Sequence, residues 1–261
     1  MQLPDFSTIL AELDDEHVLT VTLNRPDKMN SFNQVMLDDF SALWRYARLA
    51  DDVHAIVLRA NGERAFCSGV DVQELYFRPD NLVSEDDPGL ALGPKQNRCF
   101  KPLVVAVHGI AAGGAFYWLN EADIVVASED AQFFDPHVTF GMTSVYEPVG
   151  MMRRMPLQEV IRMVLMGNDE RVSAETALRI GLVGEVVTRD ALRGRAHELA
   201  ARIAAKPPIA VQTSLKAIWE TLDVRSGHAA SLGLHMVQLA NPIGVAQVDR
   251  SSQKGSGYTL R

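Results

Sequence analysis

The sequence predicts an α/β fold in which strand, turn and helix recur, followed by a mainly helical region from residue 156 onward. Three observations predict it. Apolar runs of strand length recur at 55–60, 103–107 and 124–127, each bounded by turn residues. Two glycine-bearing segments, Ala65-Phe66-Cys67-Ser68-Gly69-Val70-Asp71 and His108-Gly109-Ile110-Ala111-Ala112-Gly113-Gly114-Ala115-Phe116, each follow an apolar run and precede a helical pattern. Beyond Pro156, helical periodicity dominates and strands become rare.

The elements follow in order. Residues 9–24 read as a hairpin around the acidic turn Asp14-Asp15-Glu16, and Asn24-Arg25-Pro26-Asp27 stops its second strand. Ser31 is positioned to cap the next helix, whose apolar face is Val35, Leu37, Phe40, Leu43 and Trp44. Gly69-Val70-Asp71 opens a helix through Leu75, and Gly113-Gly114 opens another. Residues 77–94, rich in Asp, Glu, Pro and Gly, read as a loop. Helices are expected at 157–166, 173–180, 189–205, 209–222 and 229–239, with short strands at 132–134 and 183–187. The strict alternation of a dinucleotide-binding fold is missing.

Composition narrows the function. The formal net charge of −8 argues against nucleic acid, whose phosphates call for a basic face. It leaves room for a small phosphorylated ligand held by a local patch. Two cysteines, Cys67 and Cys99, make no disulfide framework and no metal spacing. The N-terminus shows no signal-peptide pattern, so a cytoplasmic protein is expected. The apolar stretch 102–119 is broken by His108 and three glycines, which suits a buried strand, turn and helix rather than a membrane span.

A glycine turn that opens a helix leaves backbone N–H groups unpaired. Two such ends, converged, would hold one oxygen that gains negative charge. Chemistry at an activated carbonyl is therefore the leading expectation.

These segments, in this order, resemble the enoyl-CoA hydratase/isomerase family, also called the crotonase superfamily. The resemblance runs over nearly the whole chain. It is carried by the strand and loop from Val21 to Phe32, the two glycine segments, the run Ala122-Asp123-Ile124-Val125-Val126-Ala127-Ser128-Glu129-Asp130-Ala131-Gln132-Phe133, and the helix and turn Ser173-Ala174-Glu175-Thr176-Ala177-Leu178-Arg179-Ile180-Gly181-Leu182-Val183. It implies a crotonase-like spiral of β-β-α turns over residues 1–205 and a helical C-terminal region, 206–261, that makes a homotrimer or a dimer of trimers. It implies an acyl-CoA thioester as the small-molecule partner, with no cofactor beyond the coenzyme A that the substrate carries. The N–H groups of Val70 and Gly114 would stabilise the thioester enolate. Lys28, Met29, Ala65, Cys67, Gly69, Val70, Asp71, Val72 and Gly114 would lie along the bound substrate.

The sequence departs from the family where it matters most. Hydratases of the family use two glutamates, and those positions fall here at Tyr117 and His137. Tyrosine, with a pKa near 10, is a poor base at neutral pH, whereas histidine serves as acid or base. Glu147, in a stretch that is normally glycine-rich, would restore a carboxylate from another direction. Asp135 reads as a turn or capping residue. Gln73 stands where relatives often place a basic residue, so coenzyme A would lean on Lys28, Arg25 or a neighbouring subunit. Phe116, Phe134, Met142 and the methionines of 151–166 are candidates for an acyl pocket. A single base suits isomerisation or C–C cleavage better than hydration. Two other readings stay open: an acyl-CoA-binding protein without chemistry, and a hydrolase of β-diketones.

Overall fold

The computed structural model describes residues 2–74, 87–222, 224 and 226–248. The chain runs β1 (Ile9–Leu13), β2 (Val18–Leu23), α1 (Gln34–Leu49), β3 (Ala55–Ala60), β4 (Ala65–Cys67), β5 (Leu103–Val107), β6 (Ile110–Ala112), α2 (Phe116–Glu121), β7 (Ile124–Ser128) and β8 (Gln132–Phe134). It continues with α3 (Tyr146–Met151), α4 (Leu157–Met166), β9 (Val172–Ser173), α5 (Ala174–Arg179), β10 (Glu185–Val187), α6 (Leu192–Ala204), α7 (Pro208–Thr221) and α8 (Ser226–Ala246).

The strands sort into two sheets, β1-β2-β3-β5-β7-β10 and β4-β6-β8-β9. From β3 to β8 successive strands alternate between them, so each turn of the spiral there lays one strand in each sheet. β1–β2 and β8–β9 are antiparallel; the other pairs are parallel. The corner between β5 and β6 shows why glycine is needed. Gly109 has φ +55°, and a Cβ there would lie 2.3 Å from the Arg64 carbonyl oxygen.

Strand periodicity fills both faces of the larger sheet. Leu19, Val21, Ile56, Leu58, Val105 and Val107 face the main core, where Phe40, Trp44 and Trp118 pack. Val18, Val57, Val104, Ala106 and Val126 face α6 instead. There Leu192, Ala196, Ala200 and Ala204 recur every fourth residue and form the buried stripe of that helix.

Several expectations are corrected. α1 is capped by Asn33, whose side chain accepts from the Met36 N–H; the Ser31 hydroxyl donates to the Lys28 carbonyl instead. Val35 is exposed, and Met36 takes the buried place. No helix starts at Gly69: residues 72–74 form a turn, and Leu75 lies outside the described residues, as does most of the 77–94 loop. The stretch read as strand at 183–187 pairs from Glu185, and the last helix runs well past residue 239. The glycine segments also contribute strands, β4 and β6, too short to show a period. Among the described residues no helix is long and apolar enough to cross a membrane.

Candidate active site

The two glycine segments meet. Past β4 the chain turns at Gly69, with φ +98°. The point a Cβ would occupy there lies 3.1 Å from the Ala112 carbonyl oxygen and 3.3 Å from the Gly114 nitrogen. Only glycine allows both this backbone and this approach. Val70 pairs in a parallel bridge with Phe32. The bridge uses the Phe32 N–H to Gly69 O (2.9 Å) and the Asp71 N–H to Phe32 O (2.8 Å), which leaves the Val70 N–H outside the ladder. Gly114 sits in the tight helical turn 113–115 that leads into α2, where first-turn N–H groups have no partner within the helix.

The position expected to hold the second glutamate is built around a buried carboxylate. β8 ends at Phe134, and Asp135 follows with no exposed surface. Asp135 accepts from the His137 backbone N–H (3.1 Å), from the Ser144 hydroxyl (2.5 Å) and from the His137 ring. A carboxylate can only accept here, so His137 carries its proton on Nδ1 and presents Nε2. Nε2 lies 3.7 Å from Glu147 Oε1. Glu147, in the first turn of α3, is buried. The His137 ring also borders the second glycine segment: its Cε1 is 3.7 Å from the point a Cβ would take on Gly113.

Burial and pairing set the charges. Burial opposes ionisation of Asp135, but hydrogen bonds from His137 and Ser144 outweigh it and hold its pKa below the usual carboxylate value. Burial likewise opposes the His137 imidazolium, yet the Asp135 hydrogen bond and the charges of Glu147 and Asp135 raise its pKa. The Glu147 carboxyl is pushed up by burial, against the lowering pull of His137. Tyr117, half-buried behind Gly114, has its phenol pKa raised first by desolvation and then by Glu147 and Asp87. Its hydroxyl donates to Asp87 Oδ2 at 2.6 Å. Tyr117 is thus a neutral donor already engaged.

The structure therefore brings Gly69, Val70, Gly114, Tyr117, His137 and Glu147 into one region. Asp135 was read as a turn residue, and it does cap the turn; its hold on the His137 ring is the role that the sequence left out. The Asp-Pro-His spacing carried that signal. Ser144 and Asp87 join from separate loops and left no local trace in the sequence.

The expected substrate path is less uniform. Lys28 is exposed at the end of the turn Pro26–Lys28. The next residue, Met29, accepts from the Ser68 N–H (3.1 Å), which ties this loop to the first glycine segment. Arg25 is committed elsewhere: it donates to Ser31 O (2.6 Å) and pairs with Asp71 (3.2 Å) and Glu74 (3.0 Å). Asp71 is buried in that pairing, whereas Val72 is exposed. Ala65 and Cys67 are buried, and burial pushes the Cys67 thiol up to about 12. Phe116 belongs to the main core and Met142 is exposed, so neither packs as an enclosed pocket wall.

A family profile described as enoyl-CoA hydratase/isomerase matches residues 14–246. The (E)-benzylidenesuccinyl-CoA hydratase of Thauera aromatica is 32% identical over 203 residues, covering 77% of this chain and 78% of that protein. The mevalonyl-coenzyme A hydratase of Aspergillus fumigatus is 30% identical over 233 residues, covering 87% and 85%. A crystal structure of an enoyl-CoA hydratase/isomerase from Mycobacterium paratuberculosis superposes with a TM-score of 0.82 at 36% identity, covering 95% of this chain and 94% of the other. With its spiral of paired strands, its two joined glycine turns and these relatives, the chain belongs to the enoyl-CoA hydratase/isomerase family.

Proposed function

We propose that this family member adds water across the double bond of an enoyl-CoA thioester, using His137 and Glu147 as its acid–base pair. The observation that carries the reading is the placement of His137 Nε2 opposite Glu147, beside the second glycine segment. Hydration needs one group to take a proton from water and another to supply one to carbon. His137, oriented by Asp135, takes the proton from water as its oxygen bonds to Cβ. The π electrons move toward the thioester oxygen, which becomes an enolate held by the Val70 and Gly114 N–H groups. Glu147, whose carboxyl burial favours in the neutral form, delivers its proton to Cα as the carbonyl re-forms. A proton then passes from His137 to Glu147 and restores the pair. Each amide donor is worth roughly 2.7–4 kcal/mol in the transition state.

With His137 as a single base, the sequence suits isomerisation or C–C cleavage better than hydration. Glu147 supplies the second group and turns the balance toward hydration, the activity for which both relatives above are named. The same arrangement supports catalysis over mere binding, because two buried carboxylates flanking a histidine cost desolvation energy that a binding scaffold need not spend. Lys28 is the exposed cation available to the coenzyme A phosphates. We infer a homotrimer built through α7 and α8, supported by exposed Ile218 on α7, Leu222 just past its end, and Leu239 and Ile243 on α8.

The test is incubation with trans-2-enoyl-CoA thioesters in oxygen-labelled water and mass analysis of the product. Label fixed at Cβ is the expected result. Deuterium exchange at carbon without oxygen uptake would replace hydration by isomerisation.

A further inference from the structure

The chain is acidic overall, with a net charge of −8, yet one recess has only cations among its ionisable lining residues. A cavity of about 450 Å³ begins at the Tyr117 and Tyr146 rings and extends to Arg98 and Phe100. Arg98 and Phe100 also line a second chamber of about 200 Å³. Its other ionisable lining residues are Arg48, Lys101 and Lys216, and no acidic side chain lines it.

Lys101 is buried, with 4% exposure, and its ammonium donates to the Ala50 carbonyl at 3.0 Å. That contact satisfies the end of α1 but brings no countercharge. Among the described residues no carboxylate forms an ion pair with Lys101, Arg48 or Arg98. The acids nearby are Asp51, which acts on Lys101 through space, and Glu220, which pairs with Lys216 at 3.6 Å. Arg48, Arg98 and Lys216 are exposed, yet they gather three further positive charges around the buried Lys101, and a bound oxyanion relieves the repulsion among them. The first turn of α7 faces the same space through Ile209, which adds the positive end of a 14-residue helix.

We propose that this second chamber is an oxyanion-binding site, held by Arg48, Arg98, Lys101 and Lys216. Two sources fit the chemistry. One is a carboxylate at the far end of the acyl group, reaching past Tyr117 and Arg98; this source rests on the thioester reading above. The other is a free inorganic oxyanion of the phosphate class.

Calorimetry on the full chain separates them. Hexanoyl-CoA and adipoyl-CoA have the same acyl carbon count, and neither carries a double bond to hydrate. If the acyl end is the source, adipoyl-CoA binds about tenfold tighter, one charge-assisted contact's worth. The double variant Arg48→Gln/Arg98→Gln then erases the gap and leaves hexanoyl-CoA binding unchanged. If a free oxyanion is the source, the two thioesters bind equally and inorganic phosphate binds alone, above a chloride control of matched ionic strength. The double variant abolishes that binding. Equal thioester affinities with no phosphate binding overturn the site, as does a double variant that behaves like the native chain. If neither thioester binds, the acyl-CoA reading falls, and the phosphate titration still decides the chamber.

Discussion

At the scale of single residues, the proposed mechanism has His137 and Glu147 share the work that two glutamates do elsewhere in the family, with Asp135 deciding how they share it. The working pair carries one proton between its two members. Activity is therefore bell-shaped in pH. It falls at low pH when the pair gains a second proton, and at high pH when the pair loses its last. Both groups have raised pKa values, so the acid limb lies above the ordinary glutamate value of 4.5 and the alkaline limb above the ordinary histidine value of 6.5. Asp135→Asn removes the ionised acceptor that raises the His137 pKa. The alkaline limb of kcat/KM then moves to lower pH, whereas a purely structural role would lower activity without moving the limb. His137→Ala lowers kcat by about a hundredfold to ten-thousandfold, the usual worth of a positioned acid–base group. Steady-state kinetics across pH check both outcomes.

At the scale of elements, the site is a meeting of turns. Gly69→Ala places a methyl 3.1 Å from the Ala112 carbonyl and 3.3 Å from the Gly114 nitrogen, on a backbone with φ +98°. The expected result is a fall in kcat/KM of about a hundredfold or more, as one amide donor is displaced, with strain of about 1–3 kcal/mol in urea unfolding. Loss of stability without loss of turnover would make Gly69 a folding residue only. Much of this level was legible in the sequence. The β3, β5 and β7 runs and the two glycine turns declared themselves through apolar content and punctuation. The cap of α1 was misplaced by two residues because Ser31 and Asn33 are both good caps, and only the Met36 amide chooses between them. The roles of Asp87, Ser144 and Arg25 stayed hidden because each depends on a partner from a distant segment: Tyr117 for Asp87, Asp135 for Ser144, Asp71 and Glu74 for Arg25.

At the scale of the whole molecule, α7 and α8 pack on each other and α7 has no fully buried residue. In the proposed trimer, the exposed Ile218, Leu222, Leu239 and Ile243 would be covered by another copy. Sedimentation equilibrium should give a mass of three chains. Leu239→Lys with Ile243→Lys should give one, with the circular dichroism spectrum unchanged; a native monomer would refute the trimer. The anchor of α7 adds a consequence. The Trp219 indole donates to Asp123 Oδ1 at 2.7 Å, and Lys95 holds the other carboxylate oxygen at 2.9 Å. Trp219 and Glu220 thereby form part of the wall of the cavity that starts at Tyr117. In the proposed trimer, association between chains and occupancy of that cavity would be thermodynamically linked through one helix. Diluting the protein would loosen its grip on whatever fills the space, and saturating that space would in turn hold the chains together.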